Sequence, residues 1–117
     1  MAVVFHHIEY AIEDGVAILT MARGKVNALN QEMVDEMIHA VDLARESGLV
    51  QSFILASNRP GFFSAGFDVK EVFLYDRACM TDYLRSYGAL IHKLHHFPKP
   101  TIAAINGQNF AGGAILA

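Results

Sequence analysis

The sequence is poor in cysteine and in charge, and it has no tryptophan. Cys79 is its one cysteine and cannot form an internal disulfide, which fits a reducing compartment. Charged residues make up 18% of the chain, and the nine lysines and arginines are scattered rather than clustered. No run approaches the roughly 18 uninterrupted apolar residues that span a bilayer. We therefore expect a cytoplasmic protein whose partner is neither nucleic acid nor a membrane.

Hydrophobic residues are abundant instead, at 53% of the 117 positions, which excludes disorder and allows a real core. We expect a single domain over residues 1–117. The apolar run after Gly112 stops at Ala117 without a residue that would end a helix, so the sequence predicts a truncated domain. Such a part of a fold would leave strand edges and apolar faces uncovered, and we expect it to be marginally stable or to associate.

The first half of the chain predicts a hairpin followed by a loop and a helix. Strands over Val3–Tyr10 and Val16–Met21 flank a turn at Glu13-Asp14-Gly15. Ala22–Leu29 is a predicted loop. Asn30 is the expected N-cap of a helix that ends near Gly48, in the C′ position. The apolar face of this helix consists of Met33, Val34, Met37, Ile38, Val41 and Ala44.

The second half predicts strands that alternate with helices. Val50–Ala56 is short and apolar enough for a strand buried on both faces, and Thr101–Ile105 is a second such strand. A helix from about Cys79 to Phe97 lies between them and is ended by Pro98-Lys99-Pro100. One side of this helix carries Met80, Tyr83, Leu84, Tyr87, Leu90, Ile91 and Leu94. The alternation argues for an α/β fold with right-handed crossovers.

Two segments lead from a strand through small residues towards a helix. One is Ser64-Ala65-Gly66, and the other ends in Gly112-Gly113 at the start of the last apolar run. Glycines let another molecule approach the main chain, and the first N–H groups of a helix have no partner within it. A lone glycine pair is more often an ordinary tight turn. Two such junctions could face each other and hold negative charge.

Two catalytic motifs are nearly present at these junctions. Gly107 to Ala114 has the glycine spacing of a phosphate-binding loop, but Gly113 stands where the lysine belongs and Ala114 where serine or threonine would bind magnesium. Ser64 lies one residue too far from Gly61 for a nucleophile elbow. Nucleotide hydrolysis and a serine nucleophile are therefore disfavoured.

The titratable clusters have plain structural explanations. His92, His95 and His96 fall on a helix side that should be solvated, near a C-terminus whose dipole favours cations. His6 and His7 are adjacent in a predicted strand and should point to opposite faces, so we expect no metal site. Asp68 and Glu71 could act as acid and base, but carboxylates at a helix start usually complement its dipole.

Taken together, the motifs resemble the crotonase superfamily, the enoyl-CoA hydratase/isomerase family. The likeness rests on the order and spacing of five segments: Gly15–Met21, Lys25–Leu29, Phe63–Glu71, Pro98–Gly107 and Ala111–Gly113. The resemblance implies a crotonase-like spiral of β-β-α units, here its N-terminal part. It also implies an acyl-coenzyme A thioester as substrate, no tightly bound cofactor, and a homo-oligomer, a trimer or a dimer of trimers.

Carried over by position, the resemblance assigns the backbone amides of Phe67 and Gly112 as the two donors of an oxyanion hole. It implies that the coenzyme A portion of the substrate contacts the Lys25 to Leu29 loop and the Ser64 to Asp68 segment, with Lys25 near a phosphate and the Ala65 backbone near the adenine. The expected binding residues are Lys25, Asn27, Ala28, Ser64, Ala65, Gly66 and Asp68.

The departures from the family pattern indicate the reaction. Ile115 stands where hydratases of this family carry a glutamate, and the family's second acidic residue would lie beyond Ala117. The sequence looks most like the Δ3,Δ2-enoyl-CoA isomerase branch, which moves a proton in fatty acid metabolism with the second acid alone. A hydratase, another acyl-CoA lyase or hydrolase on the same fold, and a non-catalytic acyl-CoA-binding or scaffold module remain alternatives.

Overall fold

The structure is a computed structural model that describes residues 4–117. Its elements, in chain order, are β1 (Ile8–Glu13), β2 (Val16–Met21), α1 (Gln31–Glu46), β3 (Ser52–Ser57), β4 (Phe62–Ser64), α2 (Val69–Val72), α3 (Arg77–His95), β5 (Thr101–Ala103), β6 (Gln108–Asn109) and α4 (Gly112–Leu116). Strands therefore alternate with helices, and the mixed α/β class expected from the sequence is confirmed.

The predicted hairpin is present with different bounds. β1 and β2 pair antiparallel, and Glu13 is already in register with Val16. The turn is therefore only Asp14-Gly15, with φ of 49° and 81°. Two consecutive positive φ values match the twist of the flanking strands, and glycine adopts one without strain. The first strand begins at Ile8 rather than at Val3, which lies outside the described residues.

The main sheet has the strand order β1-β2-β3-β5, and the β2–β3 and β3–β5 pairs are parallel. Helix α1 connects the first parallel pair and α3 precedes β5. Phe53 and Leu55 of β3 are buried, whereas Ile54 between them is partly exposed. The expectation that β3 is buried on both faces is wrong, because α1 and α3 pack together and cover one face of the sheet in the described residues.

The two long helices follow from their caps and their apolar spacing. The Asn30 side chain accepts from the Met33 amide at 2.9 Å and starts α1, as predicted. That helix ends at Glu46 with Ser47 as C-cap, which places Gly48 in the C′ position. Helix α3 starts earlier than predicted, because the Asp76 side chain caps it by accepting from the Cys79 amide at 2.8 Å.

The predicted apolar side of α3 is only partly buried. Tyr83, Tyr87 and Leu90 are buried, but Leu84 is 50% exposed, contrary to the expectation. Helical spacing places Leu84 on the same side as Tyr87 but cannot show where the contact with α1 ends. Neither α3 nor any other helix within residues 4–117 is long and apolar enough to cross a membrane.

A second, two-stranded sheet joins the two junctions. β4 pairs parallel with β6, with Phe62 opposite Gln108 and Ser64 opposite Asn109. These short strands bring the segment after Ser64 to the start of α4. The predicted strand over Thr101–Ile105 stops at Ala103, and residues 104–107 form the connection to β6.

Apolar side chains remain exposed around these elements. The largest exposed ones are Val4, Ile12, Leu49, Val69, Phe73, Leu74, Leu84, Ile102, Ile105, Phe110 and Ile115. Strands β1 and β5 are the edges of the main sheet. This surface agrees with the expectation of uncovered edges and faces, and self-association of the chain stays a prediction.

Replacing Leu90 by alanine should destabilise the protein far more than the same change at Leu84. Leu90 is fully buried, so its removal leaves a cavity and should cost about 2–5 kcal/mol. Leu84→Ala, on the same helix but half exposed, should cost less than about 1 kcal/mol. Urea unfolding of both variants measures the difference, and equal losses would show that the packing of α3 is misassigned.

Candidate active site

A cleft of about 730 Å³ opens between the loop after β2 and the segment after β4. Its walls consist of His6, His7, Ala22, Arg23, Gly24, Lys25, Val26, Ala28, Ala65, Phe67, Asp68, Val69 and Lys70. Five of the residues predicted from the sequence are among them: Lys25, Ala28, Ala65, Phe67 and Asp68. The other four, Asn27, Ser64, Gly66 and Gly112, lie behind this wall.

Asn27 stabilises the loop after β2 through hydrogen bonds to groups inside the protein. It is fully buried, with a left-handed φ of 51°, a conformation that asparagine tolerates better than most residues. Its side-chain oxygen accepts from the Arg23 amide at 2.9 Å, and its side-chain nitrogen donates to the Phe63 carbonyl at 2.9 Å and to Ser57 Oγ at 2.7 Å. The side chain is thus committed to internal bonds, and its contact with coenzyme A stays a prediction.

Ser64 has a similar internal role. Its buried hydroxyl donates to the Asn27 carbonyl at 2.9 Å and accepts from the Gly66 amide at 3.1 Å. No acid or base contacts it in the described part of the chain. The neighbouring Ala65 amide donates to the Val26 carbonyl at 3.0 Å, while the Ala65 carbonyl has no donor within residues 4–117.

Arg23 ties the loop to the start of α2, and sequence reasoning missed it. Its guanidinium donates to the Ala28 carbonyl at 2.7 Å, to Asp68 at 2.8 Å and to Glu71 at 3.0 Å. The acids lie 45 and 48 residues away along the chain, so no local spacing connects them to the arginine. Asp68 also caps α2 by accepting from the Glu71 amide at 3.2 Å. The carboxylates of Asp68 and Glu71 are therefore bound to Arg23 rather than poised as acid and base.

The pKa of Asp68 reflects this position. Burial acts to raise the pKa, but the hydrogen bond and charge of Arg23, with the backbone hydrogen bonds of Glu71 and Lys70, outweigh it and lower the pKa below its usual value. The side chain is only 18% exposed, so water screens the Arg23 contact incompletely. Asp68 is therefore held as a carboxylate at neutral pH.

The backbone amide of Phe67 has no acceptor in the described residues. A bridge pairs Leu29 with Phe67, in which Leu29 donates to the Gly66 carbonyl at 2.7 Å and Asp68 donates to the Leu29 carbonyl at 2.9 Å. Neither of these hydrogen bonds uses the Phe67 N–H. It therefore points away from Leu29 and is available to an external acceptor.

The amide of Gly112 is also without an acceptor within residues 4–117. Gly112 is the first residue of α4. The N–H groups of Gly113 and Ala114 both donate to the Phe110 carbonyl. Helix α4 has only five residues, so its dipole is weak. Any stabilisation of negative charge here depends on the amides themselves.

The two junctions are in direct contact. A methyl group on Gly66, which has a φ of 89°, would lie 3.0 Å from the Gly112 nitrogen and 3.0 Å from the Phe110 carbonyl. The Phe67 ring in turn lies 3.1 Å from the position that a side chain on Gly112 would occupy. The two free amides thus belong to touching segments. Gly112 itself is buried, and the Phe67 ring packs against its Cα side.

The histidines divide into two groups. His92, His95 and His96 are exposed at the end of α3, as expected. His6 and His7 line the cleft and precede β1, so the expectation that they point to opposite faces of a strand is wrong. Their amides donate to Glu36 at 2.9 Å, which attaches this segment to α1.

A partly apolar cleft thus lies beside two segments in contact, each with a backbone amide that has no acceptor within residues 4–117, on a mixed α/β scaffold. Residues 11–117 match the family model described as "Enoyl-CoA hydratase/isomerase". The chain belongs to this family, within the crotonase superfamily.

Relatives with two activities are similar to the chain. The mitochondrial "Enoyl-CoA delta isomerase 1" of Rattus norvegicus is 31% identical over 110 residues, which are 94% of this chain and 38% of the relative. The "Probable enoyl-CoA hydratase" of Bacillus subtilis (strain 168) is 34% identical over 111 residues, 94% of this chain and 43% of the relative. A solved enoyl-CoA hydratase/isomerase of Xanthobacter autotrophicus Py2 superposes with a TM-score of 0.87 at 34% identity, over 97% of this chain and 43% of that one.

Replacing Asp68 by asparagine should destabilise the protein in a pH-dependent way. Because the folded-state pKa is lowered, the carboxylate contributes stability above about pH 4, the unfolded value, and loses it as the pH falls through the folded pKa. We expect a loss of about 1.5–3 kcal/mol at pH 7 that shrinks in acid. Urea unfolding at several pH values measures it.

The matched control is Asp82→Asn, a change at an exposed aspartate of α3. It should alter the free energy of unfolding by less than about 0.5 kcal/mol at neutral pH. A loss for Asp68→Asn that stays constant from neutral to acid pH would contradict the pairing with Arg23.

Proposed function

We propose that the chain is part of an enzyme that isomerises 3-enoyl-CoA thioesters to 2-enoyl-CoA thioesters through an enolate. The observation that carries the proposal is the pair of free amides, of Phe67 and Gly112, on two segments in contact. Backbone amides aimed at a thioester oxygen stabilise the charge that develops on it. Family membership supports a substrate of the acyl-CoA class.

The reaction balances as a proton shift. A base removes a proton from C2 of the 3-enoyl thioester, and the electron pair delocalises onto the thioester oxygen and C4. The amides of Phe67 and Gly112 bind that oxygen, and each donor supplies about 3 kcal/mol of transition-state stabilisation. A proton is then delivered to C4, which leaves the double bond between C2 and C3. The carboxylate of Asp68 is bound to Arg23 and is not assigned as this base.

The cleft suits the coenzyme A portion of such a substrate. Lys25 and Lys70 line it and form no ion pair within residues 4–117, whereas the charge of Arg23 is neutralised by Asp68 and Glu71. Two uncompensated ammonium groups favour an anionic phosphate. The free carbonyl of Ala65 offers an acceptor for an adenine amino group. The coenzyme enters as part of the substrate, with no tightly bound cofactor proposed.

Ile115 favours isomerisation over hydration. It occupies the position at which the resemblance places the first glutamate of hydratases, and its side chain is 65% exposed. An aliphatic side chain cannot orient or deprotonate water. The similarity to the rat isomerase supports this choice, and the similarity to the Bacillus relative keeps hydration as the alternative.

A non-catalytic acyl-CoA-binding module is a second candidate. Asp68, the one carboxylate that lines the described cleft, is already bound to Arg23. This candidate predicts binding of acyl-CoA without turnover. The homotrimeric assembly, the role in fatty acid metabolism and the cytoplasmic location belong to the same proposal and rest on the family resemblance and on the sequence.

The full-length protein should convert 3-hexenoyl-CoA to 2-hexenoyl-CoA and hydrate crotonyl-CoA poorly. The appearance of the conjugated thioester measures the first reaction, and its loss measures the second. Hydration at a rate equal to or above isomerisation would overturn the isomerase assignment. Calorimetric binding of acyl-CoA with neither reaction would favour the binding module.

Replacing Gly66 by alanine should abolish most of the activity. The methyl group would lie 3.0 Å from the Gly112 nitrogen and push the two junctions apart. We expect kcat to fall about 10²–10³-fold, the effect of one lost oxyanion donor, with a much smaller change in KM.

Gly61→Ala is the matched control for this variant. Gly61 also has a positive φ, of 76°, but nothing lies within 4 Å of an added methyl group. Both variants therefore carry a similar backbone strain, and only Gly66→Ala disturbs the amides. Equal losses of kcat in the two variants would contradict the proposed oxyanion hole.

A further inference from the structure

Tyr87 of α3 touches both halves of the proposed oxyanion hole. Its hydroxyl donates to the Gly112 carbonyl. Its ring packs edge-on against the Phe67 ring, with centroids 4.8 Å apart and planes at 90°. Tyr87 is only 8% exposed, and burial raises the pKa of its hydroxyl, so the group keeps its proton and remains a donor.

The residue before Gly112 has a strained backbone. Ala111 has a φ of 45° and a ψ of −116°, a combination that glycine adopts readily and that the Cβ of alanine disfavours. The Gly113 amide donates to the Phe110 carbonyl at 2.8 Å and closes a four-residue turn with Ala111 in its second position. These dihedrals resemble a type II′ turn, which prefers glycine at this position.

This strain affects the peptide group whose N–H, that of Gly112, is a proposed oxyanion donor. The Gly112 N–H belongs to the peptide between Ala111 and Gly112, the central peptide of this turn. Type II, the related turn that suits alanine at this position, differs from a type II′ turn in the orientation of this central peptide. Relief of the strain by rotation would therefore turn the Gly112 N–H away from the Phe67 amide. The Ala111 carbonyl of this peptide accepts from the Ile115 amide at 3.0 Å, which opposes the rotation. Tyr87 holds the next peptide through the Gly112 carbonyl.

We propose that Tyr87 is a positioning residue that holds Gly112, which follows the strained Ala111, against Phe67 so that both oxyanion amides face one thioester oxygen. The inference rests on the proposed function of these amides. The hydroxyl fixes Gly112 from its carbonyl side, and the ring supports Phe67, whose own ring covers Gly112. One side chain of α3 thereby couples two segments that are distant in sequence.

Tyr87→Phe in the full-length protein tests the proposal, because it removes the hydroxyl and keeps the ring. The probe is cinnamoyl-CoA, whose absorption shifts to longer wavelength when donors polarise its carbonyl. We expect the shift on binding to fall to less than about half. We expect kcat for isomerisation to fall about 10- to 100-fold, less than for a fully lost donor, with KM little changed.

Two further variants separate positioning from general stability. Tyr75→Phe removes a hydroxyl of the same aromatic cluster, one that accepts from the Gln31 amide at 3.1 Å, and should leave the spectral shift and kcat near the wild-type values. Ala111→Gly relieves the strain. When added to Tyr87→Phe it should restore at least half of the lost spectral shift and bring kcat back to within about fivefold of wild type.

The outcomes distinguish this inference from the proposed function. If the wild-type protein binds cinnamoyl-CoA without a spectral shift, the oxyanion hole and this inference both fail. If the wild type gives the shift and Tyr87→Phe gives the same shift, or lowers only the thermal stability, the positioning role of Tyr87 is overturned. Failure of Ala111→Gly to restore the shift also overturns it.

Discussion

The parallel pairing of β4 with β6 is the constraint on which the site depends. These strands contribute few residues, yet they place Gly66 against Gly112, where a single methyl group would be only 3.0 Å from the opposing nitrogen. Such an approach is possible only without a side chain. The main sheet and the long helices form a rigid support. The two short strands, which pack on it, place the amides of Phe67 and Gly112 on adjacent segments and leave both without an acceptor in the described part of the chain.

The charges of the cleft are arranged around this pair. Arg23 is bound by Asp68 and Glu71 and fixes the loop to α2, so it acts as a structural cation. Lys25 and Lys70 line the same cleft and form no ion pair within residues 4–117. A charge that is already hydrogen-bonded on three sides stabilises the cleft, whereas an unpaired ammonium group can attract and orient a phosphate.

The sequence predicted the elements and junctions well because their signals are local. Asn30 as an N-cap, Asp14-Gly15 in a turn, and glycines at both junctions each follow from a few neighbouring residues. The burial of β3 on one face and the exposure of Leu84 could not be predicted, since they depend on which helices cover the sheet. Arg23 was missed for the same reason: its partners are contributed by a distant segment. The residue assignments of the binding site stay predictions.

The most direct test of the account is a crystal structure of the full-length protein with a non-reactive acyl-CoA thioether or amide analogue that keeps the carbonyl. We expect the carbonyl oxygen to lie about 2.7–3.1 Å from the backbone nitrogens of both Phe67 and Gly112. We also expect the Phe67 ring to leave room for the oxygen beside Gly112. A carbonyl oxygen that contacts neither nitrogen, or reaches Phe67 alone because its ring shields Gly112, would contradict the central claim.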